Sequence, residues 1–285
     1  MQNMMISVIT INYNNKDGLQ KTINSVISQT YRNFEWIIID GGSTDGSREL
    51  IKQYSNDVTY WVSESDRGIY NAMNKGIKEA KGDYLLFLNS GDCLATETVM
   101  ENVANLELEK DFAYGIIKIV TVKGAWSLWD IPLEDITGRR FLRATLPHPA
   151  TFIKRSMFTK FGMYDENYKI CADWKFFMDA ILFGQASIQK IPFVISVFFE
   201  GGISTKDWLK KKQERERAIS LTWSPLILKD YEKLEVLNVI QKYTISRFIL
   251  SQVLAAIRIW EKVKRKSTGY VSAAISRING MKNVS

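Results

Sequence analysis

Acidic and amide side chains recur in this chain directly after short apolar runs, a placement that suits them to ligand chemistry. Asp40 closes FEWIIID (Phe34–Asp40) and is followed by Gly41-Gly42-Ser43-Thr44-Asp45-Gly46-Ser47. A carboxylate at the end of an apolar strand can accept hydrogen bonds from a base or a ribose. Ser43, Asp45 and Ser47 are also the residue types that cap a following helix, whatever the ligand. Asn89-Ser90-Gly91-Asp92 follows the apolar Tyr84-Leu-Leu-Phe-Leu. Magnesium and manganese sites use one or two such carboxylates plus substrate phosphate oxygens, so Asp92 is a candidate ligand. Asn89 could add an amide oxygen or hold a metal-bound water. The plainer alternative is a solvated turn in which Asp92 caps the next helix. The Gly41-to-Gly46 segment is not a phosphate-binding P-loop, because Ser47-Arg48 stands where Lys-Ser/Thr is needed. It is not G-x-G-x-x-G either.

These residues must be held by something, and the apolar periodicity says what. Four β-rich runs occupy the first ninety residues: Met5–Asn12, Phe34–Asp40, Val58–Ser63 and Asp83–Asn89. Segments with helical spacing lie between them, carrying Leu19, Ile23 and Val26, then Leu50, Ile51 and Tyr54, then Met73, Ile77 and Ala80. Near-continuous apolar strands alternating with helices predict a mainly parallel sheet covered on both faces, an α/β fold. Ligands of open α/β sheets bind outside the carboxyl ends of the strands, so the loops after all four strands are predicted to converge on one crevice. Further along, Phe112–Val122 and Ala125–Trp129 read as an antiparallel pair around Lys123-Gly124, and Ile131–Pro149 as irregular. Asp173–Phe183 reads as a helix, in which Asp173 has the residue type of an N-cap, and Val194–Phe199 as a last strand. From Lys206 onward only helices are predicted, broken near Ser224-Pro225.

Composition excludes several classes of protein. Aromatic residues at 12% of a 285-residue chain bury too much surface for a disordered one. Two cysteines, Cys93 and Cys171, are too few for a disulfide framework or a cysteine-based zinc site, and a single histidine, His148, excludes a histidine-rich metal centre. Neither a signal peptide nor a transmembrane helix is expected. The net charge of +7 is unevenly placed: Ile203 to Ser285 holds 17 basic and 7 acidic residues, and the rest is slightly acidic.

The order VITINYNN, then IIIDGGSTDGS, then SESDRGIYNAMNKGIKEAKGDYLLFLNSGD resembles the glycosyltransferases of family 2, which have the GT-A fold. The likeness is greatest to the bacterial subset that builds capsule, O-antigen and exopolysaccharide, and it covers Ser7 to Thr205. The resemblance implies a nucleotide-diphosphate sugar, here expected to be a UDP-sugar, lying across the carboxyl edge of the sheet. Ile11 (through its backbone) and Tyr13 would flank the base, Asp40 would bind base or ribose, and Asp66 with Arg67 would complete the nucleotide pocket. Asn89 and Asp92 stand where a D-x-D-like motif binds the diphosphate through a divalent metal, Mn²⁺ or Mg²⁺, although Asn89 replaces its first acid. Asp173 stands at the family's general base, with Ala172 replacing the other member of an acidic pair. His148, between Pro147 and Pro149 in LPHPATF, has the plainer reading of a structural residue in a turn, while the resemblance places it in a segment lining the acceptor or metal side of the cleft, a candidate for metal, phosphate or acceptor contact. Glu200-Gly201-Gly202 resembles a mobile loop closing over the donor, with a plain strand-end turn as the alternative. The activity implied is inverting transfer of a sugar to a glycan, lipid-linked, in bacterial surface polysaccharide biosynthesis. Asn89 and the lone Asp173 leave open a non-catalytic sugar-nucleotide-binding or scaffold protein on the same fold. A nucleotidyltransferase would need a Gly-rich basic signature where Tyr13-Asn14-Asn15-Lys16 stands.

Two domains are expected, a catalytic domain over 1–205 and a basic helical extension over 206–285. Lys210, Lys211, Lys212, Arg215 and Arg217 open the extension. Ile245, Phe248, Ile249, Val253, Ala256, Ile257, Trp260 and Val263 then repeat at helical spacing ahead of Lys262, Lys264, Arg265 and Lys266. Such a helix suits an anionic membrane surface, with Leu226–Tyr243 packed on the body. A cytoplasmic protein, peripheral at the inner face of the plasma membrane, is the expectation, with a homo-oligomer contact as the other use of the tail. No nucleic-acid-reading motif is recognisable.

Overall fold

The computed structural model describes residues 4–202, 207–242, 248–249 and 251–260. The first four strands are β1 (Ile6–Asn12), β2 (Phe34–Asp40), β3 (Tyr60–Ser63) and β4 (Tyr84–Phe87), all parallel in the order β3-β2-β1-β4. They alternate with α1 (Lys16–Ile27), α2 (Ser47–Gln53) and α3 (Ile69–Glu79). Every residue of β1 is buried, as a strand covered on both faces requires. Because the strands are parallel, Asn12, Asp40 and Ser63 arrive at the same edge, with Asn12 opposite Asp40 and Asp40 opposite Ser63.

The second half widens the sheet. In chain order come β5 (Cys93–Leu94), α4 (Val99–Ala104), β6 (Phe112–Val120), β7 (Trp126–Trp129), α5 (Gly138–Arg143), β8 (Thr151–Lys154) and α6 (Ser156–Phe161). Then follow α7 (Ala172–Met178, continued by a π turn over Asp179–Phe183) and β9 (Ile188–Phe199). The sheet continues β4-β8-β6-β9-β5, with β7 paired to β6 as the expected hairpin. Its nine strands are mixed only in this half, where β8 runs antiparallel to both β4 and β6. The last strand begins at Ile188, six residues before the expected Val194. Pro192 lacks an amide donor and reads as a strand boundary, but a register shift against β6 between Tyr114 and Ile116 absorbs it as a bulge.

One face of the sheet is covered by α1, α2 and α4 through Leu19, Ile23, Val26, Leu50, Ile51, Val99 and Val103, packed with Val8, Ile38 and Leu86. The other carries α3 and α7, with Phe176 and Phe177 edge-on to Phe112. Burying about a dozen large aliphatic and aromatic side chains at roughly 1.5–3 kcal/mol each is what fixes these loops to a rigid edge.

Two helices follow, α8 (Trp208–Thr222) and α9 (Pro225–Lys242), with the break at Ser224-Pro225 as expected. The chain forms two compact units, 1–221 and 222–285. The first therefore reaches one helix beyond the expected boundary at 205, because α8 is bonded to the segment that precedes α7. In the second unit Leu226, Ile227 and Leu234 are exposed. Phe248, Ile249, Val253, Ile257 and Trp260 are also exposed. Tyr243, Ile245, Val263 and the basic run Lys262, Lys264, Arg265 and Lys266 lie outside the described residues. Among the described residues no helix is long and apolar enough to cross a membrane.

Candidate active site

Asp40 is the keystone of the strand-end loops. It is fully buried, and both carboxylate oxygens are engaged: Oδ1 accepts from Asn12 Nδ2 (2.8 Å) and Ser43 Oγ (2.5 Å), Oδ2 from Ser43 N (3.0 Å) and Ser63 Oγ (2.6 Å). Burial pushes its pKa up, but the bonds from Ser43, Ser63 and Asn12 outweigh that and hold the group below its ordinary value. Asp40 thereby ties together the ends of three strands. The neighbouring loops are cross-linked further: Asn14 N donates to Ser43 Oγ (2.8 Å), Thr44 N to Asn14 Oδ1 (2.8 Å) and Lys16 N to Asp45 Oδ2 (2.8 Å). Asp45 also accepts from Ser47 N, so it braces the turn, while the α2 N-cap itself is Gly46 without a side-chain bond.

Tyr13 stands on this frame with 68% of its surface exposed, an aromatic face available for stacking on a planar ring. Gly41 separates it from Asp66: a Cβ at Gly41 would lie 3.1 Å from both Tyr13 Cδ2 and Asp66 Oδ2, so a side chain there would press them apart. Asp66 is paired with Lys75 (2.5 Å), which also meets Glu64 (2.7 Å). The Arg67 side chain is turned to Glu166 (2.8 Å) and is largely exposed. Ile11 is buried in β1, and its carbonyl accepts from Ser90 N (3.0 Å). That bond anchors the Asn89–Asp92 loop, which engages the backbone oxygen expected to flank a base.

The loop after β4 is held from α1. Asn15, the α1 N-cap, donates to the Ser90 carbonyl (3.0 Å), and Thr22 Oγ1 donates to the Asp92 carbonyl (2.7 Å) while accepting from Gly91 N (3.0 Å). Gly91 has φ +106, a conformation that side chains resist. Asp92 is buried, and burial pushes its pKa up to about 8 against the lowering effect of a backbone bond within the turn. The Oδ1 of Asn89 is buried with no hydrogen-bond partner among the described residues. A cation would relieve both costs, and a carboxylate and an amide oxygen are the ligand types a divalent ion shares with phosphate oxygens. No group of three or more acidic, histidine or cysteine side chains able to hold a metal occurs among the described residues.

Asp173 reaches the same edge from the second half. It lies in the first turn of α7, two residues after the N-cap Cys171, and is not the cap. Its Oδ1 is 2.7 Å from the hydroxyl of Tyr70, which sits in the first turn of α3 just after Arg67. Glu166 fastens this region to α3 by accepting from Asn71, Asn74 and Arg67. Those bonds hold its pKa below the ordinary value, against the pull of desolvation.

The family model described as Glycosyl transferase family 2 matches residues 7–166. The chain belongs to glycosyl transferase family 2. An uncharacterized glycosyltransferase of Mycobacterium tuberculosis is 36% identical over 193 residues, covering 62% of this chain and 69% of that one. A PGL/p-HBAD biosynthesis glycosyltransferase of Mycobacterium bovis is 29% identical over 179 residues, 60% of this chain and 68% of its own. The crystal structure of S. aureus TarS superposes with a TM-score of 0.59 at 20% identity, covering 82% of this chain, which spans 43% of the length of TarS. The TarS fragment 1-349 in complex with UDP gives 0.59 at 20% identity, covering 85% of this chain and 73% of the fragment. The mannosyltransferase PcManGT from Pyrobaculum calidifontis, in complex with GDP-Man and Mn²⁺, gives 0.56 at 17% identity over 75% of this chain and 63% of its own. The fold is GT-A, and the protein is a glycosyltransferase.

In this family 2 chain the strand edge gathers Tyr13, Asp40, Asp66, Asn89 and Asp92 on adjacent loops, and the Tyr70 bond brings Asp173 to that edge. His148 has the surroundings of the structural alternative. It is buried, stacked on Phe87 (4.9 Å between centroids), with Nε2 in a hydrogen bond to Tyr164 OH (2.9 Å). Desolvation lowers its pKa, as suits an aromatic-core histidine. Gly201 (φ +116) and Gly202 lie just past β9, whose extension Glu200 N donates to Val120 O (2.9 Å), so they follow a paired strand end. Sequence reasoning missed Asn12, Ser63, Tyr70 and Glu166. The polar end of VITIN and the YNAMN repeat of amides on one helical face were the available signals.

Proposed function

We propose that the protein transfers a sugar from a UDP-sugar to a hydroxyl of a glycan, inverting the anomeric carbon. The observation that carries this reading is the 2.7 Å contact between Tyr70 OH and Asp173, groups 103 residues apart, which supports a carboxylate base beside the strand-end loops. Asp173 accepts the proton of the acceptor hydroxyl while that oxygen attacks the anomeric carbon. The bond to the diphosphate oxygen breaks in line, so the configuration inverts. Tyr13 stacks on the base, and the Asp40 framework and Asp66 shape the nucleotide pocket. Asp92 and Asn89 would hold a divalent cation that, when bound, neutralises charge on the leaving diphosphate. The UDP complex of TarS and the Mn²⁺ complex of PcManGT, two proteins of the same fold, support this choice of ligands.

Titration calorimetry with UDP, GDP and dTDP, each with and without Mn²⁺, tests the donor assignment; UDP with Mn²⁺ is expected to bind tightest. Asp173→Asn is expected to lower transfer by about 10³-fold with nucleotide affinity unchanged. Retention of more than a few per cent of activity would place the base elsewhere. The acceptor is proposed to be lipid-linked, in bacterial surface polysaccharide synthesis, with the protein peripheral at the inner membrane face. The exposed Phe248, Ile249, Val253, Ile257 and Trp260 and the basic tail support it. A chain ending at Leu221 is expected to lose binding to anionic liposomes, and unchanged binding would exclude the tail as the anchor.

A further inference from the structure

Three consecutive backbone amides ahead of α7 are bonded to one carboxylate from α8. Glu214 Oε1 accepts from Lys169 N (2.7 Å), and Oε2 accepts from Ile170 N (2.9 Å) and Cys171 N (3.0 Å). Cys171 is the N-cap of α7 and offers no side-chain cap bond, so a distant residue serves these donors. The docking is specific to one helical stripe, Lys211, Glu214, Arg215 and Ala218. The Lys211 carbonyl accepts from Cys171 Sγ (3.5 Å), the Arg215 guanidinium lies over Trp174 (5.0 Å), and Ala218 is fully buried.

The Cys171 N–H and the Ile170 carbonyl belong to one planar peptide unit. Glu214 holds its N–H side, and the Tyr70 hydroxyl meets its carbonyl at 2.7 Å. That hydroxyl is also 2.7 Å from Asp173 Oδ1. It has one proton for two acceptors. When Asp173 is ionised, Tyr70 donates to it. Once Asp173 holds the proton taken from the acceptor hydroxyl, Asp173 donates to the Tyr70 oxygen and the Tyr70 proton turns to the Ile170 carbonyl. Both states of the base are then hydrogen-bonded, provided the carbonyl stays in place. A carboxylate on the N–H side fixes that peptide and polarises its carbonyl into a better acceptor.

We propose that Glu214 is a positioning residue for Asp173, acting through the 170–171 peptide and the Tyr70 hydroxyl. This rests on Asp173 being the base. Steady-state kinetics of the full chain with UDP-sugar donors test it. Glu214→Ala is expected to lower kcat by about 10- to 100-fold with the donor KM within about twofold of the parent. Glu214→Gln, which keeps an oxygen acceptor, should recover most of the loss. Tyr70→Phe should show the same split between kcat and KM. In an Asp173→Asn background Glu214→Ala should have no further effect on residual transfer. If Asp173→Asn removes transfer but Glu214→Ala leaves kcat at the parent value, or multiplies the loss in the Asp173→Asn chain, Glu214 is only a structural cap and the inference falls. If Asp173→Asn itself stays active, the base assignment falls first. Should Glu214→Ala not fold, Glu214→Gln and Tyr70→Phe decide: donor KM rising in step with any fall in kcat overturns the proposal.

Discussion

The two sides of the proposed site, one assigned above to the nucleotide and one to the acceptor, are built on different principles. On the nucleotide side, the loops after β1, β2, β3 and β4 meet because parallel strands deliver successive loops to one edge, and Asp40 locks three of them with bonds reaching 28 residues at most. On the acceptor side, Asp173 depends on Tyr70, 103 residues away, and its helix start depends on Glu214, about forty residues later in the chain. Around Asp40 the nucleotide side is a local frame repeated along the chain, to which bonds from Asn15 and Thr22 spanning 75 and 70 residues add the loop after β4, and the acceptor side is a junction of separate segments. A frame should fail as a unit when its keystone is removed, whereas a junction should lose rate before it loses stability.

Substitution of Asp40 breaks this contrast most directly. Asp40→Ala orphans donors on Asn12, Ser43 and Ser63, so it should cost about 2–4 kcal/mol of stability and abolish UDP binding, measured by denaturant unfolding and calorimetry. A folded variant with unchanged affinity would show that the loops need no keystone. Acid pH does the same reversibly. The Asp40 pKa is lowered in the fold, so its stabilisation is present above the ordinary value of 3.8 and is lost as pH falls below it. Asp40→Asn should flatten that acid limb of the unfolding curve. Tyr13→Ala should weaken UDP binding by about tenfold through lost stacking, with the melting temperature unchanged, because most of the Tyr13 side chain is exposed. Arg67→Ala should do least, shifting the melting temperature by less than about 2 °C, since its pair with Glu166 is exposed on the arginine side. A large effect there would mean that Arg67 leaves Glu166 when nucleotide binds.

The same contrast explains what could be read before the fold was known. β1 to β4, the helices between them and the loop residues Tyr13, Asp40, Asn89 and Asp92 were legible because each strand alternates with a helix of clear periodicity, is directly followed by its loop, and joins its neighbours within the same ninety residues. β5 and β8 were not, because β5 is two residues long and both pair only with strands far away in sequence. The charges of α8 were misjudged for the same reason. Arg215 and Arg217 looked like part of a cationic tail, yet their guanidinium groups lie over Trp174 and Tyr168 in the catalytic unit. A charge count along the chain cannot distinguish a solvated cation from one stacked on a ring.

Sequence alone determined the strand-and-helix alternation and hence the edge where nucleotide chemistry belongs, because a right-handed parallel sheet leaves its loops no other place to gather. It also supplied the residue types there. Tertiary structure decided the inward aim of Asp40, the burial of His148 against Phe87 and Tyr164, and the grip of Glu214 on the peptide beneath Tyr70. Those outcomes depend on which unpaired donors and acceptors meet when distant segments pack, and no local pattern of residues encodes that meeting.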